Sequence, residues 1–405
     1  MADAAWYAAS AIFAWLVSTA AEVPLQRSWG RIAVWTYLAA IPVALVSSRT
    51  ALPHRARVAL AVTVMAGAAV APLVLAASGR SPGDRGATAQ SEVLIVEEGA
   101  TSLLHGRDPY AAAYDRGPLA GRPAPTRTHV PYPPGMLVFG VPKAVAGAGP
   151  GTDARVWFLV VSLSVAIPAL RRMRTDGDGR LLVFQVLFAL PTGAMLIATG
   201  GHDLPVLAAL LAGFVLLDAG RPVASGLAAG AALAMRQTSV LALPFLLAIA
   251  PREHRRRHLV AALLPPFVLT VPFLLWDAGA FVEDVIRFPL GLGSGPSAAR
   301  TPTLGRLLVD LAPAAGTTIT IILVAAIVVA TVALVAVRPP TTVAGACVRA
   351  AGAYGAAFVL APAARFGYVV YPLSLVAWAA AFSRGAGTET DRVAAQDVST
   401  ASTDP

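Results

Sequence analysis

The chain has 405 residues, 57% of them hydrophobic and only 13% charged, with a mean hydropathy of +0.68; soluble domains carry roughly 25% charged residues, so a soluble class is excluded. The formal net charge of +9 does not point to nucleic acid, because arginine collects in short loops between apolar runs, where it orients helices and meets lipid headgroups. A single cysteine, Cys347, excludes an intramolecular disulfide and a cysteine-based metal site.

A helix needs about 20 apolar residues to cross the bilayer core. On that measure spans are expected near 5–24, 32–47 and 57–77, then an apolar stretch at 135–148, then spans near 155–170, 181–199, 204–219, 223–235, 239–250, 259–278, 317–337, 343–360 and 366–382. The first lacks a basic leader and a clear cleavage site, so it is read as a retained span. The fold expected is all-α, a polytopic transmembrane bundle of about 11–13 membrane segments. It occupies residues 1–383, with a polar loop at 78–134 carrying a juxtamembrane amphipathic helix, and a tail at 384–405 expected to be disordered.

The basic loops at 47–57, 171–180 and 251–258 should be cytoplasmic. The N-terminus is then inside and the long polar loop outside. Returning 171–180 inside allows only one of 135–148 and 155–170 to cross. The former, short and broken by Pro142 and Lys143, is expected to re-enter or lie at the interface, unless one cytoplasmic loop is less basic than it looks. Continuing the alternation puts His202 and Asp203 outside, breaks the 223–250 run near Met235–Thr238, and puts the 279–303 linker and the 361–366 turn outside. The polar loop, His202, Asp203, Arg236, Gln237 and Arg365 therefore converge on one face. Leu304–Leu311 reads as a short interfacial helix. No internal repeat is visible, which weighs against inverted-repeat transporters.

Within the polar loop, Val93, Val96, Ala100 and Leu103 form an apolar stripe on a helix over Ser91–His105, with Gly106 as its stop. Glu98, Ser102 and His105 share a polar face, and Glu92 sits in the first turn, where the helix dipole favours a carboxylate. By spacing alone this is a juxtamembrane helix with a solvated acidic face; beside a membrane cavity, Glu92, Glu97 and Glu98 also make a general base available. Arg107, Asp108, Pro109 and Tyr110 follow as a helix stop and turn, and Tyr132, Pro133 and Pro134 open the next apolar stretch. Asp203 is either an N-cap, with Pro205 in the first turn, or, with His202, an ionisable pair facing a charged headgroup. Arg236 interrupts a long apolar run and needs an anionic partner from protein or substrate. Arg365 is similarly placed, although snorkelling at a helix end explains it equally well.

Together these residues resemble the GT-C superfamily of integral-membrane glycosyltransferases, and within it the bacterial polyprenol-phosphate-mannose-dependent alpha-mannosyltransferases of the glycosyltransferase 87 type. Members carry an acid near the start of the first large extracytoplasmic loop, a helix ending in a Gly-x-x-Pro-Tyr-like element, a Tyr-Pro-Pro, and an Ala/Gly-rich run broken by a lysine or arginine before a Leu-Pro-rich span. Here these are Glu92, GRDPY at 106–110, YPP at 132–134 and GLAAGAALAMRQTSVLALPFLL at 226–247. Two features depart from the pattern: the loop acid is typically aspartate, and two spans precede the one that feeds the loop.

The resemblance implies a polyprenyl-phosphate sugar donor, a lipid or glycan acceptor, surrounding membrane lipids, and no nucleic acid. It implies Glu92 as base, with Glu97 and Glu98 as alternatives, and an inverting single displacement. Substrate contacts would come from His105, Arg107, Asp108, Tyr110, Tyr132, His202, Asp203, Arg236, Gln237 and Arg365, with Arg236, Arg365 and His202 on the leaving phosphate. It implies no cofactor, although an acidic loop could hold a divalent cation. The location implied is a bacterial plasma membrane, with both termini cytoplasmic. The rival readings are a transporter or lipid flippase with Arg236 and Asp203 along its path, and a non-catalytic scaffold whose polar loop binds a partner.

Overall fold

The computed structural model describes residues 2–49, 54–80, 88–293, 299 and 301–401, the side chains of 48, 49 and 386–401 excepted. Parts of the 47–57, 78–134 and 279–303 segments thus lie outside the described residues. No strand occurs among the described residues. Eight helices are long and apolar enough to cross a membrane, and three shorter apolar helices, Pro134–Ala146, Pro222–Met235 and Gln237–Ile249, accompany them. The protein is a polytopic all-α membrane protein.

In chain order the helices are α1 (Ala2–Ala20), α2 (Pro24–Arg49), α3 (His54–Ser78), α4 (Ser91–Leu104), α5 (Val141–Ala146), α6 (Ala154–Arg172), α7 (Gly177–Thr199), α8 (Asp203–Asp218) and α9 (Pro222–Met235). They continue as α10 (Leu243–Ile249), α11 (Arg255–Val282), α12 (Leu304–Leu311), α13 (Gly316–Val337), α14 (Val343–Leu360) and α15 (Val370–Ala401). Glycine lets backbones touch: a Cβ on Gly226 or Gly230 of α9 would lie 2.4 Å from the carbonyl oxygens of His258 or Ala262, the close packing that small residues permit in membranes. Large side chains such as Phe267, Leu275 and Val329 are exposed and form a surface suited to lipid. Free Cys347 is buried in α14. Helix irregularities are covered by buried donors: Trp29 Nε1 donates to Ala68 O at 2.7 Å and Tyr37 O–H to Ala189 O at 2.8 Å, each in a π-helical turn.

The bundle has two chemically distinct ends. At one, Arg57 bonds Asp3 at 2.7 Å, Arg384 lies 3.5 Å from Asp176 and His258 Nδ1 is 2.9 Å from Pro222 O. The N-terminus and the basic loops are therefore gathered together, as the charge pattern requires. The other end carries the polar loop. Helix α15 runs to Ala401, past residue 384; residues 402–405 lie outside the described residues.

The stretch before α6 is not one continuous helix. It runs as 3-10 turns over Pro134–Gly140 and then α5, and ends at Gly147 with φ +81°. Both of its ends stay at the polar-loop end, because Lys143 Nζ reaches Glu97 at 3.0 Å and Glu98 at 2.9 Å, and Arg80 at the foot of the loop bonds Asp153 at 2.7 Å. This placement is what a 135–148 segment that re-enters or lies at the interface requires.

α4 forms where its stripe predicts, and it ends in a Schellman motif: Gly106 has φ +68°, its N–H bonds Leu103 O, and the Arg107 N–H bonds Ser102 O. Its acidic side is not a solvated face. Glu97 is fully buried and accepts four bonds: from Arg80 at 2.8 and 2.6 Å, from Lys143 at 3.0 Å and from the Ala154 N–H at 3.1 Å. Beside it Asp153 accepts from Arg80 and, at 2.9 and 2.8 Å, from Arg155. Burial alone would raise the Asp153 carboxyl, but Arg155 and Arg80 hold it down at about 2. Arg155 also donates to the carbonyls of Thr88 and Ala198, which ties the loop to α7. Removing one member of such a buried set strands the others. Glu97→Ala should therefore destabilise the protein by about 3–5 kcal/mol, read as a fall in the thermal unfolding temperature in detergent.

Candidate active site

Glu92 lies in the first turn of α4 and is 8% exposed. The entry to that helix is fixed because the Gln90 N–H bonds Thr199 O at 3.2 Å and the Gln90 side chain bonds the Thr199 hydroxyl at the same distance. Its Oε1 meets Arg365 Nη1 directly. Arg365 sits on extended backbone (φ −116°, ψ 142°) between α14 and the 3-10 turn Phe366–Val369, and the neighbouring Ala364 carbonyl accepts from the Thr301 N–H at 3.0 Å.

Arg236 is also extended (φ −150°, ψ 120°), at the break between α9 and the 3-10 turn Gln237–Ala242. Breaking a helix orphans the carbonyls of its last turn. Here Ala232 O is taken up by the Arg236 N–H and by Ser239 Oγ at 3.3 Å. The guanidinium is buried and its Nη1 lies 3.1 Å from Asp203 Oδ1, at ion-pair distance but not aligned as a hydrogen bond. It also stands 4.9 Å from the Tyr368 ring centre and 5.7 Å from that of Tyr132, within cation–π range.

Asp203 opens α8, but the cap position belongs to His202, which makes no side-chain cap bond. The N-cap reading of Asp203 is therefore replaced by a charge role. Its Oδ1 accepts from the Tyr371 hydroxyl at 2.8 Å, and its Oδ2 lies 3.4 Å from His202 Nε2. The His202 ring packs 5.2 Å from the buried Tyr132 ring.

The local field suits these groups to different tasks. Burial alone would raise the Glu92 carboxyl, but Arg365, and after it Arg236, hold it below the usual carboxylate range. Burial pushes the His202 imidazole down against the pull of Asp203, so it is neutral at pH 7, with a buried Nδ1 that has no hydrogen-bond partner. Burial also raises the Tyr132 phenol, which stays protonated.

Six of the residues expected from sequence thus meet: Glu92, Tyr132, His202, Asp203, Arg236 and Arg365. Gln237 is adjacent and ties the break to neighbouring carbonyls, donating to Val285 O at 3.1 Å and Pro131 O at 3.4 Å. Tyr110 stands one layer behind: its hydroxyl donates to Tyr132 O at 3.0 Å, and its ring is gripped edge-on by Phe273 and Phe281. Asp108 accepts from the Tyr110 N–H at 2.9 Å and shapes that turn. His105 and Arg107 are exposed at the far end of α4, with His105 Nδ1 2.7 Å from Thr101 O. Glu97 and Glu98 belong to the Arg80–Lys143 network. Sequence reasoning missed Tyr368 and Tyr371, whose three-residue spacing just after Arg365 was the available signal. It also missed Asp284, which accepts from the Val130 N–H at 2.6 Å and has no motif around it. Among the described residues no group of three or more His, Cys, Asp or Glu is arranged to hold a metal ion.

A model of glycosyltransferase family 87 matches residues 130–362, more than half of the chain. The matched interval contains Tyr132, His202, Asp203, Arg236 and Gln237; Glu92 and Arg365 fall outside it. No curated protein matches the chain. Among solved structures, the crystal structure of ArnT from Cupriavidus metallidurans bound to undecaprenyl phosphate is similar, with 18% identity and a TM-score of 0.49. The match covers 81% of this chain and 60% of that one, so this chain spans less than two thirds of that protein's length.

Tyr110→Phe keeps the ring contacts and removes the donor to Tyr132 O. The expected cost is about 1–3 kcal/mol for a buried carbonyl left unpaired, measured by thermal unfolding against wild type.

Proposed function

The chain belongs to glycosyltransferase family 87 and is a membrane glycosyltransferase of the GT-C type; from that premise we propose that it transfers mannose from a polyprenyl-phosphate donor to a lipid or glycan acceptor. The observation that carries this reading is the meeting of Glu92 with Arg365, and of Arg236 with Asp203 and His202, at one end of the bundle. We take that end as the outer face of a bacterial plasma membrane, which leaves both termini cytoplasmic. The basic loops gathered at the opposite end support this orientation.

The charge balance favours a monophosphate-linked donor. Each arginine already faces one carboxylate, so the pairs are neutral together and suit the single charge of a phosphodiester better than a diphosphate. Arg236 Nη1 makes no aligned hydrogen bond within the protein and is available to a phosphate oxygen. In the proposed single displacement, Glu92 takes the proton of the acceptor hydroxyl as that oxygen attacks the anomeric carbon. The bond from that carbon to the phosphate oxygen breaks on the opposite side, and the configuration inverts. The leaving polyprenyl phosphate gains one negative charge, which Arg236 and Arg365 stabilise more strongly than the bound donor.

Transfer of labelled mannose from polyprenyl-phosphate mannose to a lipid-extract acceptor pool tests the reading. Glu92→Gln keeps the shape and removes the base, with an expected loss in kcat of about 10²–10⁴-fold. Arg236→Ala should lose about 10²–10³-fold in protein that remains monodisperse. Wild-type protein inactive with mannose, glucose and arabinose donors alike would sink the proposal.

The pH profile gives a separate check. Base catalysis needs ionised Glu92, so the acid limb of kcat/KM should lie below the usual carboxylate range. Arg365→Ala removes the principal cation holding that carboxyl down, so its pKa rises and the limb moves to higher pH. An unmoved limb would exclude Glu92 as the titrating group.

A further inference from the structure

Between the helix that carries Glu92 and the break that carries Arg236 lies the re-entrant segment Pro134–Ala146, and it touches both backbone to backbone. On one side a Cβ at Gly135 would stand 2.6 Å from Ala234 O and 3.0 Å from Ala234 C, two residues before Arg236. On the other side a Cβ at Gly140 would stand 2.4 Å from Val96 O and 2.8 Å from the Glu97 Cα of α4. Neither neighbour is a side chain that could swing away. The stretch between is 3-10 helix, with a rise of about 2.0 Å per residue, so the two contacts sit roughly 10 Å apart on one element. Met136, Leu137 and Phe139 are buried along it. Beyond Gly140, Lys143, the only lysine of the chain, bonds Glu97 and Glu98 and stops α4 from sliding along the segment.

We infer that Pro134–Ala146 is a spacer that sets the separation of the Glu92 carboxylate from the Arg236 guanidinium, with Gly135, Gly140 and Lys143 as its positioning residues. None of the three needs to touch substrate. This rests on the reading of Glu92 as base and Arg236 as phosphate ligand. A methyl group at either glycine must push α4 or the α9 break outward by a fraction of an ångström to about one, and a misplacement of about 1 Å can cost 10²-fold in rate.

The test uses the full chain in lipid nanodiscs with polyprenyl-phosphate mannose, and compares wild type with Gly135→Ala, Gly140→Ala, Lys143→Met and Lys143→Arg. Gly352→Ala serves as control, because its Cβ would meet nothing within 4 Å. Gly135→Ala and Gly140→Ala should lower kcat about 10–100-fold with donor KM nearly unchanged. They should also move the acid limb upward, since Glu92 drifts from the cations that hold its carboxyl down. Lys143→Arg should keep most of the rate that Lys143→Met loses, and Gly352→Ala should match wild type. A kcat that falls only in proportion to the folded fraction, with the limb unmoved, would overturn the spacer. So would equal rates for Lys143→Met and wild type, which decides the matter even where Gly140→Ala does not fold. No transfer by wild type would instead overturn the reading of the site on which the spacer rests.

Discussion

Everything at the polar end depends on burying one guanidinium. A charged side chain within a membrane bundle is costly unless it is countered, and Arg236 is countered by Asp203, itself held by Tyr371 and faced by His202. Meeting that demand fixes the start of α8, the break after α9 and the start of α15 against one another. The aromatic rings of Tyr132 and Tyr368 cover the cation's faces, so Tyr132 and the re-entrant segment behind it are drawn to the same point.

Two carboxylates of one helix have opposite fates for a simple geometric reason. Glu92 and Glu97 are five residues apart, which at 3.6 residues per turn rotates their side chains by roughly 140°. Glu97 points into a set of fixed donors and is fully satisfied; such a group anchors structure. Glu92 points to the opposite cluster and has a single, partly exposed cation against it. The first is bound for stability; the second is the one to which the proposed mechanism gives the proton transfer.

Much of the architecture was legible without coordinates. Counting basic loops and apolar runs led to the expectation that the helix breaks near Met235–Thr238 and that 135–148 re-enters or lies at the interface; the helix does break at Arg236, and both ends of the short segment lie at the polar-loop end. The convergence of Glu92, His202, Asp203, Arg236 and Arg365 followed from the same alternation. The Asp203 cap reading failed because local spacing describes a helix start and does not reveal a cation arriving from a helix more than thirty residues later. Tyr368, Tyr371 and Asp284 escaped notice for the same reason: each acts on a partner distant in the chain.

By itself, then, the sequence determined the all-α membrane class, the grouping of polar residues at one end and the positions at which helices must break, since apolar length and charge distribution act locally along the chain. Only the tertiary structure decided that, of three neighbouring glutamates, Glu92 faces Arg365 and that a glycine-lined segment lies between the two charged elements. Those outcomes depend on rotation about helix axes and on backbone approach at the scale of one methyl group, and neither leaves a periodic trace in the sequence.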